Sequence, residues 1–220
     1  MKPSELKSNP FWDFWAPILL TLSLYTGIRH YIAEARYIPS GSMFPGLAIN
    51  DRLVIEKLTF TRRSPRRGEI VVFNSPHSFD PLLRSKKAPS TIKCALVNFP
   101  LFASLTGIGH PACDAYIKRV VAVGGDQVAI NSQGEVSLGG VRSQESYVTN
   151  FCNQDRNGFG NCKTIQTKVP YGYVLVLGDN RSNSWDGRYW PGGPFLPENE
   201  IIGRAVFRFW PLNRFGLLGS

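Results

Sequence analysis

Residues 116–123 read YIKRVVAV and run directly into the turn residues GGD at 124–126. Ile and Val dominate the run, and Gly-Gly-Asp after it stops regular structure, so it reads as a strand and not as a helical turn. A period of two places Tyr116, Lys118, Val120 and Ala122 on one face and Ile117, Arg119, Val121 and Val123 on the other. The same texture recurs outward at 51–58 (DRLVIEKL), 69–73 (EIVVF), 126–130, 173–177 (YVLVL) and 201–209 (IIGRAVFRF). With 21 Gly and 16 Pro distributed between these runs, the chain from Tyr37 onward is expected to be mainly β.

Composition narrows the class further. The 220 residues are 43% hydrophobic, 19% charged and 12% aromatic, which excludes a disordered chain and a coiled coil and suits one medium domain. The formal net charge is +9. Its basic residues are dispersed and no nucleic-acid motif accompanies them, so anionic lipid is the expected partner and nucleic acid is not.

Residues 14–28, FWAPILLTLSLYTGI, are uncharged between Asp13 and Arg29. As a helix they rise about 22 Å, short of a bilayer, but extension back to Pro10 adds Phe11 and Trp12 to Phe14 and Trp15 as a headgroup-level aromatic cluster. One transmembrane anchor is expected, with residues 1–36 as tail and anchor and 37–220 as the β domain. The basic flanks argue against a cleaved signal peptide. Lys2 and Lys7 balance Arg29 and Arg36, so charge leaves the orientation open. Residues 74–115 form an insertion in the β domain. Its apolar end, CALVNFPLFASLTGIGHPAC, is broken by Asn98, Pro100 and Gly107, which disfavours a second span and suits contact with lipid.

Cys94, Cys113, Cys152 and Cys162 show no zinc-ligand spacing, and His30, His77 and His110 are scattered, so neither a metal site nor a His-centred site is expected. An even count suits disulfides in an oxidising compartment. Cys152 with Cys162, closing a polar loop, is the expected pair; three pairings and reduced thiols stay open.

Two further segments carry candidate chemistry. IPSGSMFPGL at 38–47 is an extended turn that can present a hydroxyl with a second hydroxyl and backbone N–H groups nearby. It is not a GxSxG elbow and no His motif accompanies it, so a serine nucleophile here needs another base. Lys118 supplies one: a desolvated ammonium loses its proton more readily, and a neutral amine can act as general base. GDNRSNSWDGR at 178–188 alternates acids and arginines and suits a loop pinned by charge pairs that could fix Ser184.

In this order, PSGSM after an anchor, RRGEIVVF at 66–73, YIKRVVAVGGD at 116–126 and GDNRSNSWDGR at 178–188 resemble the successive boxes of type I signal peptidases, the leader-peptidase family of Ser-Lys proteases that remove signal peptides from exported proteins. The resemblance implies a signal-peptidase-like antiparallel β-sheet domain, no cofactor, secretory preproteins as substrates, and a catalytic domain outside the cytoplasm on a plasma or thylakoid-type membrane. It makes Ser42 the nucleophile, Lys118 its base, Ser40 an oxyanion donor and Ser184 the hydroxyl that orients the amine. Asp179 with Arg119 and Asp186 with Arg188 become supporting pairs. Ile38, Pro39, Met43, Leu47, Tyr116 and Ile117 become the lining of shallow pockets, which implies cleavage after Ala-x-Ala. Gly46 and Gly187 depart from the pattern, where Thr and Ser are frequent. The competing readings are a dedicated Ser-Lys processing peptidase of pilin type and a catalytically silent anchored scaffold.

Overall fold

The computed structural model describes residues 9–84, 115–153 and 161–219. The interior of the 74–115 insertion, with Cys94 and Cys113, lies outside the described residues, as do Lys2 and Lys7.

The strands are β1 (Ala33–Tyr37), β2 (Arg52–Glu56), β3 (Ile70–Asn74), β4 (Ala115–Val123), β5 (Gln127–Ile130), β6 (Val136–Leu138), β7 (Val141–Arg142), β8 (Ile165–Lys168), β9 (Tyr173–Leu177), β10 (Phe195–Pro197), β11 (Ile201–Trp210) and β12 (Gly216–Leu217). They form a large antiparallel sheet in the order β1-β2-β11-β3-β4-β9-β10, with β12 on β11, and a small one in the order β7-β6-β5-β8. The mainly β expectation holds. Every strand read from the apolar runs is present, while the short β7, β8 and β12 carried no apolar run to read. β1 pairs with β2, so residues 33–36 are part of the sheet.

Alternation along the strands covers both faces of the large sheet. Leu53 and Ile55 of β2 share one cluster with Ile70 and Val72 of β3, and Val71 and Phe73 of β3 share the opposite one with Val174 and Val176 of β9. Leu175 and Leu177 instead meet Val128, Ile130 and Val136 of the small sheet, which therefore packs on this half of the large one. β4 departs from strict period two. A register shift between Val120 and Ala122 turns Val121 and Ala122 into the same cluster, so Ala122 leaves the face that sequence parity shares between it and Lys118.

Helix α1 (Pro10–Gly27) starts where Asn9 accepts a hydrogen bond from Phe11 N at 3.2 Å and proline occupies the first turn. No residue of α1 is buried. It continues through a wide turn, Ile28–Ile32, straight into β1. Lys57 ties this junction to the sheet, donating to Arg29 O at 2.9 Å while pairing with Glu34 at 2.9 Å, a cation at a helix C-terminus. The expected helix is therefore present. Its 18 residues include Asp13, Thr21, Ser23 and Thr26, and no helix among the described residues is long and apolar enough to cross a membrane. Cys152 and Cys162 form a disulfide.

Candidate active site

Residues 38–51 form a loop whose neck is closed by Ile38 N donating to Asp51 O at 2.9 Å and Asn50 N to Ile38 O at 2.8 Å. Inside it, Gly41–Met43 make a single tight helical turn, with Phe44 N donating to Gly41 O at 3.1 Å. The loop holds this shape because Ile38, Met43 and Leu47 sink into the cluster of Leu53, Ile55, Ile70 and Val72, which leaves the side chain of Ser42 half-buried above them. These three apolar residues are a floor under the turn. The accessible apolar surface beside it comes from Pro39, which is exposed, and from the half-buried Tyr116 and Ile117.

Strand β4 delivers the second group. Lys118 Nζ lies 2.8 Å from Ser42 Oγ, 76 residues away in sequence, and donates to Ile117 O at 2.9 Å. The lysine is 4% exposed. Burial pulls its pKa down to about 8 and Arg188 acts in the same direction, while Asp186 and Asp179 oppose it. A large share of the amine is therefore neutral in mildly alkaline solution, within hydrogen-bond distance of the serine hydroxyl. Ser40 Oγ sits 3.5 Å from Ser42 Oγ on the exposed side.

The loop after β9 clamps this pair from below. Asn180 N donates to Ser42 O at 3.1 Å and Asn180 Nδ2 to Gly41 O at 3.2 Å. Gly178 packs so closely that a Cβ there would stand 2.4 Å from Ser42 O and 2.3 Å from Ser184 Oγ. Its N–H donates to Asp186 Oδ2 at 3.0 Å, and its carbonyl accepts from Arg181 Nε at 3.0 Å.

Each charge in the loop is matched. Arg119 grips Asp179 through two bonds of 2.9 and 2.8 Å, Arg188 grips Asp186 through two of 2.8 Å, and Arg181 grips Glu145 through bonds of 3.0 and 2.6 Å. Such forks fix direction as well as distance. Arg119 also stacks on Tyr147, its guanidinium carbon 4.0 Å from the ring centre. Ser184 Oγ is buried with no hydrogen-bond partner among the described residues, so it makes no bond to Lys118.

Of the residues singled out in the sequence, Ser40, Ser42, Lys118, Arg119, Asp179, Ser184, Asp186 and Arg188 come to one place. Asn180, Glu145 and Tyr147 were not singled out. Asn180 stands inside the quoted loop and was open to notice; Glu145 and Tyr147 lie in a polar stretch, QESYV, with no pattern to mark them.

A family model described as signal peptidase, peptidase S26, matches residues 11–210 and stops just before the C-terminal turn. The chain belongs to this family. A probable signal peptidase I-2 of Synechocystis sp. is 40% identical over 98% of this chain and 82% of its own length. Thylakoidal processing peptidase 1 of Arabidopsis thaliana is 33% identical over 83% of this chain and 44% of its own. A crystal structure of a signal peptidase I from Enterococcus faecalis aligns with a TM-score of 0.40 and 20% identity over 66% of this chain and 98% of that one, a likeness on which nothing here rests. As a member of the peptidase S26 family, the protein is a serine endopeptidase.

Two outcomes follow from the site's packing. Gly178→Ala should lower peptidase turnover at least 100-fold, because its methyl must displace the Ser42 carbonyl. Adding Ser184→Ala should not restore activity, since the carbonyl clash remains; kinetics of both variants check this. Lys118→Met should stabilise the fold. The lysine binds a proton in the unfolded chain up to pH about 10.5 but in the folded chain only up to about 8, so below 8 its burial costs about 3 kcal/mol, a cost that fades between these values. Urea unfolding should therefore give the variant its full advantage at pH 7 and little at pH 11.

Proposed function

We propose that the protein removes signal peptides from exported preproteins, with Ser42 as nucleophile and Lys118 as general base. The observation that carries this reading is the 2.8 Å contact between a buried amine and a half-buried hydroxyl. Neutral Lys118 accepts the proton of Ser42 as Oγ attacks the scissile carbonyl carbon, which turns the carbonyl oxygen into an oxyanion. The Ser42 backbone N–H and the Ser40 hydroxyl, 3.5 Å from Ser42 Oγ, are the donors we assign to that charge, and such donors act mainly on the transition state. The protonated amine then delivers its proton to the leaving amine, which departs with the mature protein. Water attacks the remaining ester, losing its proton to Lys118; the signal peptide leaves as a carboxylate and Ser42 regains its hydrogen.

Because Met43 and Leu47 are fully buried in the cluster beneath the turn, we read the space beside Ser42 as shallow. Small side chains fit such space, in keeping with cleavage after Ala-x-Ala. The helix α1 is exposed along its whole length, with Phe11, Trp12, Phe14 and Trp15 grouped at its start, and we read it as the element that attaches the enzyme to its membrane. Because α1 runs without a linker into β1, and β1 leads directly to the Ser42 loop, attachment brings the site to the membrane surface. Preproteins whose signal segments are still embedded are then within reach.

Ser42→Ala and Lys118→Ala should each abolish cleavage of a preprotein while leaving folded protein, since the two groups act as a unit. Near-normal cleavage by either would sink the mechanism. In the parent enzyme kcat/KM should rise about tenfold per pH unit up to about 8 and then level, because only the neutral amine accepts the serine proton. Deleting residues 1–30 should leave cleavage of short peptides in detergent near the parent rate but slow processing of bilayer-inserted preprotein about tenfold or more. Equal rates on both substrates would remove α1 from substrate positioning.

A further inference from the structure

The C-terminal segment, 211–219, folds back under the loop that carries Ser42. Pro211 ends β11, a turn at Leu212–Arg214 reverses the chain, and β12 returns along β11 with Phe207 opposite Leu217. Three groups of contacts run from this segment towards the reacting serine. Arg214 Nη1 donates to Asp51 Oδ1 at 3.1 Å, and its Nη2 to Pro45 O at 3.1 Å and Gly46 O at 3.3 Å. Leu218 packs on the cluster that contains Met43 and Leu47. Gly219 O accepts from Arg119 Nη1 at 3.4 Å, the same guanidinium that grips Asp179.

Asp51 is the point on which these contacts converge. Its carboxylate, 1% exposed, accepts from Arg214, from Arg208 at 3.2 Å and from Ala48 N at 2.9 Å, while its backbone oxygen accepts from Ile38 N. The aspartate thus closes the neck of the 38–51 loop, and the two arginines hold the aspartate. An arginine suits this place because its fork can span a carboxylate and two carbonyls at once, which an ammonium cannot.

From this we infer that Arg214 is a positioning residue for the reaction: through Asp51, Pro45 and Gly46, the C-terminal strap fixes the height and direction of Ser42 relative to Lys118. Arg214 touches neither the dyad nor the accessible surface beside it, so its effect should fall on the chemical step and not on substrate binding. A displacement of about 1 Å at a nucleophile is enough to cost one to two orders of magnitude in rate.

The test is kinetic, on the full chain in detergent with a short signal-peptide-derived substrate. Arg214→Met should lower kcat about tenfold or more with KM within twofold of the parent, and Arg214→Lys should recover only part of the loss. Leu217→Ser, on the exposed side of the same strap, should leave both constants unchanged. A kcat within twofold of the parent's in Arg214→Met, or a loss carried by KM, overturns the inference, as does full recovery in Arg214→Lys. Should Arg214→Met fail to fold, Leu218→Ala is judged by the same split. The inference rests on the assignment of Ser42 as nucleophile. Ser42→Ala assayed in parallel separates the two, since activity in that variant removes the assignment whatever Arg214 does.

Discussion

The amine of Lys118 has left water, and the rest of the site is arranged around that fact. A lysine on a surface strand would stay charged well past pH 10, unable to take a proton from a hydroxyl. Here Lys118 lies on an inner strand between β3 and β9, it is 4% exposed, and its amine meets Ser42 Oγ at 2.8 Å. Burial is opposed by the nearby acids, because Asp186 and Asp179 both favour the charged amine. Each is saturated by an arginine, Arg119 and Arg188, in a two-bond fork. Desolvation stays the largest influence on the amine, and Arg188 acts alongside it against the two acids. On this view Arg188 offsets part of the pull of carboxylates that hold backbone in place but favour the protonated amine.

Those carboxylates hold backbone in a specific way. Asp186 takes the N–H of Gly178, and the residue two positions on, Asn180, takes the carbonyls of Ser42 and Gly41. The main chain of Ser42, the proposed nucleophile, is therefore bonded to the loop that carries the acids. Asp51 does the same from the opposite end of the 38–51 loop. The serine turn is held at two points by buried ionic groups and underneath by Ile38, Met43 and Leu47. Its precision comes from residues that never touch a substrate, which is the usual condition for a preorganised site.

Much of the fold could be read from apolar runs bounded by Gly and Pro, since a strand buried on one or both faces must advertise that burial in its side chains. Residues 69–73 and 173–177 are buried strands and were legible on this ground. β7, β8 and β12 are short and largely exposed, and their pairing is decided by neighbours in space. The 33–36 segment was hidden for another reason: AEAR follows an apolar helix and has no run of its own, and only its pairing with β2 makes it a strand. Helix α1 was visible as an uncharged stretch, but its hydroxyls and Asp13 leave it less apolar than the transmembrane anchor expected from it, and it is not long and apolar enough to cross a membrane. At the site, Ser42 and Lys118 stand in motifs whose order resembles one family. Glu145, Tyr147, Asp51, Arg208 and Arg214 act through buried ion pairs and stacking between segments distant in sequence, and a single sequence has no periodicity that points to such partners.

The two departures from the family pattern have a common physical basis. At Gly46 a Cβ would stand 2.5 Å from Asp179 Oδ2 and 3.4 Å from Arg119 Nη2, so the Arg119–Asp179 fork occupies the space that a threonine side chain would need. At Gly187 a Cβ would stand 2.6 Å from Pro194 O and 3.1 Å from Leu175 Cδ1, so the chain beyond Arg188 has closed onto the strand that precedes the loop. In each case a neighbour occupies the space a side chain would need, a buried charge pair at Gly46 and main chain with Leu175 at Gly187. Gly46 lies between the Arg119–Asp179 fork on one side and Arg208 and Arg214 on the other, both of which donate to its carbonyl. Gly46 is thus the point at which the acid loop and the C-terminal strap both meet the serine loop, and a side chain there would have to displace the Arg119–Asp179 fork. Neither glycine replaces a group of the proposed dyad, so both bear on its supports and not on the reacting atoms.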